Sequence, residues 1–145
     1  MDKKIVSINK RLNYLMAETN AVYHDASLKL GISDSVSIIL YTVCNNGGSC
    51  PLSEICMLSG MKKQTLNSAI RKLEDDGIVY LKAVDGKKKS VCITERGKEF
   101  SEKTVRKIIR MENEILEEWT EEERTLYIEL TEKFLNGIKE KTKQL

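Results

Sequence analysis

Residues 61–77, MKKQTLNSAIRKLEDDG, contain four side chains that can form directed hydrogen bonds. On a helical wheel an apolar stripe runs along one side, made of Leu66, Ala69, Ile70 and Leu73. Gln64, Ser68 and Arg71 lie opposite that stripe, and Asn67 lies on its flank. Arg, Gln and Asn side chains can pair with base edges in a major groove. The alternative is the ordinary one, a solvated outer face that contacts nothing.

The charges of this predicted helix favour its N-terminal half as a contact surface. Lys62 and Lys63 stand at its start, where the helix macrodipole also attracts phosphate. A shorter helix ends at Gly60 directly before it, so the pair has the order of a helix–turn–helix. Residues 74–76 are acidic and would have to stay clear of phosphates. We therefore expect residues in the first half to make the contacts.

A predicted β-hairpin follows this helix. Residues 78–84 (IVYLKAV) and 89–94 (KSVCIT) read as short strands around the segment DGKKK. The predicted loop tip carries Lys87, Lys88 and Lys89, which could lie along a DNA backbone or in a minor groove. Lysines in a turn are also commonly just solvated.

The remaining elements are helical. A first helix runs to Gly31, a second is capped by Ser33, a third starts at Pro51, and a fifth runs from Thr94 through Trp119. The last helix starts with the capping box Thr120–Glu123. The predicted order is α-α-α-α-β-β-α-α, which is mainly α with a small β-hairpin.

Composition and charge narrow the class of protein. The 145 residues are 41% hydrophobic and 32% charged, as in a folded single domain. The net charge of +2 is unevenly distributed: residues 61–98 hold 10 basic and 5 acidic residues, whereas residues 99–145 hold 9 and 12. A basic middle segment suggests a localised anionic partner.

No targeting segment or membrane partner is expected. No apolar run approaches the roughly 20 residues that cross a bilayer, and no signal peptide is evident. These features predict a cytoplasmic protein. The four cysteines are few and irregularly spaced, which favours buried reduced thiols over a disulfide framework.

The segment SEICMLSGMKKQTLNSAIRKLEDDGIVYLKAVDGKKKSVCITERGKEF resembles the MarR family of winged-helix regulators. Within it, QTLNSAIRKLEDDGIV is similar to the family's recognition helix, and ITERGKEF is similar to its wing exit. The resemblance implies a single MarR-like domain over residues 1–145. Residues 33–98 would form a winged helix–turn–helix lobe, and residues 1–32 and 99–145 a helical dimerisation region.

The resemblance also implies a function and its residues. The expected partner is a pseudo-palindromic double-stranded DNA operator bound by a homodimer, for transcription regulation that is most simply repression. Gln64, Thr65, Ser68 and Arg71 would contact DNA in the groove, with Lys63 and Asn67 as further candidates. The wing contacts would come from Lys87, Lys88 and Lys89, supported by Asp85.

Two positions depart from the family pattern. Lys62 stands where members usually have a helix-capping Ser, Thr or Asp, and a lysine cannot cap. Lys87 replaces the Arg of the family's Asp-x-Arg at the wing, while Asp85 matches the Asp. Since lysine is a hydrated point charge rather than a rigid fork, we expect the wing to contribute affinity more than base preference.

Many relatives release DNA when a small aromatic or phenolic ligand enters a cleft. The candidate lining residues here are Tyr14, Met16, Tyr23 and His24 on the first helix, although such a stripe is more often core or dimer interface. His24 is the only histidine, which disfavours a zinc site built from several histidines. Redox sensing through a cysteine is disfavoured because the first helix has none. No metal or cofactor is expected.

The sequence offers no catalytic constellation. It lacks a Gly-rich phosphate loop, HExxH, GxSxG and a spaced Cys/His cluster, so an enzyme is not expected. The alternative function is a winged-helix protein-interaction module without specific DNA binding. Loss of the basic wing would be its signature, and this wing is strongly basic.

Overall fold

The computed structural model describes all 145 residues and divides them into two compact units, Met1–Ile109 and Arg110–Leu145. The elements follow the order α1 Lys3–Lys29, α2 Asp34–Asn45, β1 Ser49–Pro51, α3 Leu52–Ser59, α4 Lys63–Asp75, β2 Val79–Asp85, β3 Lys88–Ile93, α5 Glu95–Lys103, α6 Val105–Glu117 and α7 Glu121–Thr142. The predicted fold class, mainly helical with a β-hairpin wing, is confirmed. The division into a lobe over residues 33–98 and a flanking dimerisation region stays a prediction.

Side chains cap most helices where the sequence predicts it. Ser33 accepts a hydrogen bond from the Val36 amide at 3.2 Å, which starts α2. Thr120 accepts from the Glu123 amide at 3.1 Å, and the Glu123 carboxylate accepts from the Thr120 amide at 3.0 Å. This reciprocal capping box starts α7. Hydrogen bonds to the Thr120 amide and hydroxyl lower the pKa of Glu123.

The sheet has three strands rather than the two expected. β3 lies in the middle, and both β1 and β2 pair with it in antiparallel register. β1 pairs Ser49 with Cys92 and Pro51 with Ser90. Three residues are too few to show the alternation of apolar and polar residues that predicts a strand. Pro51 is tolerated because β1 is an edge strand. β1 therefore forms through pairing that is distant in sequence.

The predicted helix from Thr94 to Trp119 is two helices, which corrects the predicted order. Thr104 breaks it with φ −127° and ψ −103°. Its hydroxyl donates to the Phe100 carbonyl oxygen at 2.8 Å, and its amide donates instead to the Ser101 carbonyl oxygen at 3.1 Å. The hydroxyl thus takes the acceptor that the amide would use in a continuous helix.

The core of the first unit lies between α2, α4 and the sheet. Its fully buried side chains include Ile39, Leu40, Val43, Ile55, Leu66, Val91 and Val105. The α1 helix contributes little to this core, since only Ser27 of its residues is buried. Ten large apolar side chains of that helix are exposed.

The second unit consists of the end of α6 and all of α7. No residue of α7 is buried, and its exposed apolar side chains are Leu126, Tyr127, Ile128, Leu130, Phe134, Leu135 and Ile138. The Trp119 and Tyr127 rings make an edge-to-face contact with centroids 5.3 Å apart.

No single helix combines the length and the apolar character needed to cross a membrane. The α1–α2 pair meets that criterion only jointly, and it is bent by 95°.

Candidate nucleic-acid interface

The α4 helix separates a core side from a solvent side, as the wheel predicts. Leu66, Ile70 and Leu73 are buried. The candidate contact residues Lys63, Gln64, Thr65, Ser68 and Arg71 are exposed, and Asn67 is half-buried. The Ser68 hydroxyl donates to the Gln64 carbonyl oxygen at 3.0 Å, which leaves its lone pairs available as acceptors. Five exposed residues of α4 thus offer donors or acceptors to solvent, and Gln64, Ser68 and Arg71 lie on one side of the helix.

The start of α4 is open to an anion. Lys62 occupies the N-cap position with φ −61° and ψ 140°, and its side chain makes no capping hydrogen bond. The first intrahelical bond runs from the Leu66 amide to the Lys62 carbonyl oxygen at 3.0 Å. The amides of residues 63–65 therefore have no acceptor within the helix. Two lysines and unpaired amides together favour negative charge at this end.

The turn between α3 and α4 is short and well defined. Gly60 ends α3 in the left-handed conformation with φ 63°, and its amide donates to the Cys56 carbonyl oxygen at 3.2 Å. The Met61 amide donates to the Ser59 hydroxyl at 3.2 Å. This geometry gives the helix–turn–helix order that the sequence indicates.

The far end of α4 carries the opposite charge. Glu74, Asp75 and Asp76 follow one another there, and Gly77 ends the helix with φ 72°. The helix is therefore positive at its start and negative at its end. A polyanion is therefore favoured at the start of α4 and disfavoured at its end.

The wing differs from the predicted loop tip. The turn between β2 and β3 contains only Gly86, with φ 53°, and Lys87. Lys88 and Lys89 are strand residues, opposite Asp85 and Ala83 respectively. Successive strand residues point to opposite faces, so these two lysines do not share a direction. The prediction that all three stand on the tip is wrong for Lys88 and Lys89. β3 begins at Lys88, one residue before the predicted strand, and Lys89 lies inside it.

Two further wing features bear on the charge of the hairpin. A β-bulge between Ala83 and Asp85 shifts the register, and bulges add local twist. Lys82 is an exposed cation on β2, opposite Ser90, that the site prediction omitted. Lys82 lies two residues after Tyr80, which is exposed, and residues i and i+2 of a strand share a face. That spacing was the signal by which Lys82 could have been identified.

The candidate effector residues do not come together. Tyr14, Met16, Tyr23 and His24 are all exposed on α1, with Met16 64% exposed. Tyr14 and Met16 lie on nearly opposite sides of that helix, because two residues are about 200° apart. His24 Nδ1 lies 2.6 Å from Asp34 Oδ2, which links α1 to the start of α2. The role of these residues stays a prediction.

The cysteines are free thiols. Cys50 is fully buried and its thiol donates to Glu54 Oε2 at 3.7 Å. Burial, reinforced by the adjacent carboxylate, raises the pKa of the Cys50 thiol to about 11. A protonated thiol is a poor nucleophile, so this site is chemically quiet. No group of three or more His, Cys, Asp or Glu residues is placed to hold a metal ion.

Comparison with known proteins finds one matching family. Residues 30–90 match the model of the MarR family, a segment that runs from the end of α1 to β3. No curated protein sequence matches the chain.

Three solved structures illustrate the similarity of fold. The MarR family regulator NMB1585 from Neisseria meningitidis has a TM-score of 0.73 at 18% identity, over 98% of this chain and 96% of its own. A MarR transcriptional regulator from Methanosarcina mazei Go1 has 0.63 at 25% identity, over 96% and 93%. NadR in complex with 4-hydroxyphenylacetate has 0.66 at 15% identity, over 92% and 93%.

These matches agree with the helix–turn–helix and wing geometry described above. The fold is the one used by transcriptional regulators of the MarR family, which supports a DNA-binding regulatory function. The resemblance to the MarR family is therefore confirmed, by sequence over residues 30–90 and by fold over nearly the whole chain.

Proposed function

We propose that this protein is a sequence-specific DNA-binding repressor that acts as a homodimer on a pseudo-palindromic operator and releases it on binding a small aromatic or phenolic ligand. The observation that carries the proposal is the division of α4. Leu66, Ile70 and Leu73 hold it to the lobe, while Gln64, Thr65 and Arg71 face solvent beside its uncapped, lysine-flanked start. Such a helix can enter a major groove by its N-terminal half.

The wing supports a second, less specific contact. Lys82, Lys87, Lys88 and Lys89 are exposed on one short hairpin. Because they project from more than one face of the ribbon, they suit a phosphate backbone rather than a fixed set of base edges. Their contribution is electrostatic and depends on salt.

Dimerisation is supported by exposed apolar surface in each unit. On α1 the exposed set is Ile5, Val6, Ile8, Leu12, Tyr14, Leu15, Met16, Val22, Tyr23 and Leu28. On α7 it includes Leu130, Phe134 and Ile138. Contiguous apolar surface of this extent is normally covered in a soluble protein. A second copy of the chain would cover it and present two copies of α4 to one operator.

Ligand release is supported by one structural relative. NadR has been crystallised with 4-hydroxyphenylacetate, a phenolic acid. In this chain Tyr23, one of the two tyrosines of α1, is the candidate for lining a cleft completed by the second copy. Tyr23→Ala should weaken the effect of such a ligand on DNA release without changing DNA affinity in its absence.

Fluorescence anisotropy with DNA from the protein's own upstream region tests the central proposal. The full-length protein is titrated at low and at moderate salt against that duplex and against a shuffled duplex of equal length and composition. We expect preference for the upstream duplex by about 10³-fold or more, and weaker binding to both at higher salt. Equal affinity for both duplexes would instead favour a protein-interaction module.

Sedimentation tests the dimer separately from DNA binding. The expected mass is twice the 16.5 kDa of the chain. Leu130→Glu on the apolar face of α7 should yield monomer, whereas Lys133→Glu on the same helix should not. A wild-type protein that sediments as a monomer at micromolar concentration would contradict the homodimer.

A further inference from the structure

The outer half of the wing, residues 82–89, is exposed along its whole length. It carries four lysines and one carboxylate, that of Asp85, which leaves a formal charge of +3. Val84 is the only large apolar side chain in this segment, and it is 64% exposed. A strongly cationic ribbon that also presents one apolar side chain suits a partner that is anionic along its edges and less polar between them.

Val84 is the extra residue of the β-bulge. Ala83 lies opposite Lys89 on β3. The next pair is Asp85 and Lys88, so Val84 has no cross-strand partner. A bulge redirects the side chain that it carries and increases the local twist. Val84 is therefore released from the regular alternation of the strand, two residues before the turn of the wing.

The cations of the outer wing are placed around this valine rather than on one side of it. Lys88 and Lys89 are neighbours on β3 and project from opposite faces of the ribbon. The minor groove of B-DNA is a channel about 6 Å wide between two phosphate backbones. Cations on both faces could each meet one backbone, with Val84 between them over the channel.

The floor of that channel differs between base pairs by one chemical group. A·T and T·A pairs present only acceptors there, whereas a G·C pair adds the exocyclic amino group of guanine, which is a donor. The side chain of Val84 has no acceptor to offer this donor. Over a G·C pair it would remove water from the amino group without replacing the lost hydrogen bond, and an unpaired donor is costly.

We propose that Val84 is a specificity-determining residue that selects A·T over G·C pairs where the wing lies on the minor groove. This inference rests on the proposed DNA-binding function and extends it. The lysines of the wing contact phosphates, which are the same for every base pair. Lys87 therefore contributes affinity, while Val84 distinguishes between base pairs through the amino group.

The base pairs that meet the wing are located first, by hydroxyl-radical footprinting on DNA from the protein's own upstream region. They are the pairs that the wild-type protein protects and Lys87→Ala does not. A footprint that Lys87→Ala leaves unchanged would show that the wing does not reach the groove, and it would overturn the proposal.

Inosine then provides the sharpest test, because an inosine·cytosine pair lacks the amino group but keeps the major-groove edge of G·C. The full-length wild-type protein is titrated, by fluorescence anisotropy, against three duplexes with A·T, I·C or G·C at the located pairs. We expect the first two to bind within about two-fold of each other and the G·C duplex to bind about five-fold more weakly. This comparison does not depend on the folding of any variant.

Val84→Thr is the matched variant. Threonine keeps the β-branched shape and the preference for a strand, while its hydroxyl can accept from the guanine amino group. We expect this variant to bind the G·C and A·T duplexes within about two-fold of each other. Lys82→Ala is the control, since removing an exposed cation from the same strand should weaken binding to all three duplexes equally.

Two results would overturn the role of Val84. One is equal binding of the I·C and G·C duplexes by the wild type, because the amino group would then not be recognised. The other is a preference for A·T that persists unchanged in Val84→Thr. In either case, continued preference for the upstream duplex over a shuffled duplex would leave the proposed function standing. Loss of that preference in the wild type would overturn both.

Discussion

The hydroxyl of Thr94 donates a hydrogen bond of 2.6 Å to the carbonyl oxygen of Gly77, seventeen residues earlier in the chain. The same hydroxyl lies 3.0 Å from the Ile78 carbonyl oxygen and accepts from the Gly97 amide at 2.9 Å. One side chain therefore caps α5 and also fixes the end of α4. The recognition-helix candidate and the helix after the wing are joined at this point.

Thr94→Val should destabilise the protein because it removes the cap and leaves the Gly77 carbonyl without this donor. We expect a loss of about 1–2 kcal/mol in the free energy of unfolding, measured by urea denaturation. Thr94→Ser keeps the hydroxyl and should stay within about 0.5 kcal/mol of the wild type. Equal losses in the two variants would mean that the methyl group, not the hydroxyl, matters.

Gly97 is a second residue at which the backbone packs closely where α5 meets the end of α4. A Cβ there would lie 2.0 Å from the Ile78 carbonyl oxygen and 2.7 Å from Ile93 Cγ1. The backbone at Ile78, just before β2, would have to move, so Gly97→Ala should cost more than about 2 kcal/mol. Gly137→Ala in α7 is the control, since nothing lies within 4 Å of its Cβ position. That change should be neutral or stabilise by up to about 1 kcal/mol.

The sequence predicts the features of this fold that depend on near neighbours. The caps at Ser33, Thr94 and Thr120 and the buried stripe of α4 follow from local hydrogen bonds and a helical period. The edge strand β1 has no such signal, because Ser49–Pro51 become a strand only by pairing with β3.

The site prediction has the same limit. The exposed residues of α4 could be identified from one helix, whereas the groove beside the C-terminal end of α4 is lined by side chains from residues 31–36, 72–78 and 96–103. No spacing in the sequence brings those three segments together. The placement of Lys88 and Lys89 was wrong for a related reason, since the strand boundary depends on the register with β2.

Cys50 gives a prediction that depends on pH. Its thiol pKa, raised from 9.0 to about 11, means that folding favours the protonated form. This stabilisation is fully present below pH 9 and is lost as the pH rises from 9 to 11. Iodoacetamide at pH 8 should therefore leave Cys50 unmodified in the folded protein and modify it in urea, as peptide mass spectrometry would show.

Glu54→Gln provides the matched variant for that experiment. It removes the carboxylate that helps raise the Cys50 pKa while keeping the size of the side chain. Alkylation of Cys50 should then begin at a lower pH than in the wild type. Rapid alkylation of wild-type Cys50 at pH 8 would contradict both the burial and the raised pKa.

Lys87 is the only lysine in the turn of the wing, so its contribution should be to phosphate contacts. In Lys87→Ala the slope of log affinity against log salt concentration should fall by about 1, with little change in base preference. Lys139→Ala on α7 removes an equal charge outside the wing and should leave the slope unchanged. An unchanged affinity and slope in Lys87→Ala would exclude the wing contact.

The opposite charges at the two ends of α4 allow an experiment to distinguish base contacts from general charge effects. Gln64 lies in the positive half of the helix and Asp75 in the negative half. Gln64→Ala should reduce discrimination between the operator and a point-mutated operator by about 1–3 kcal/mol. Asp75→Asn should raise affinity for both duplexes equally, because it only removes repulsion of phosphate. Competition binding with the two duplexes measures both effects. An altered base preference in Asp75→Asn would contradict this assignment, because it would show that the C-terminal half of α4 also contacts bases.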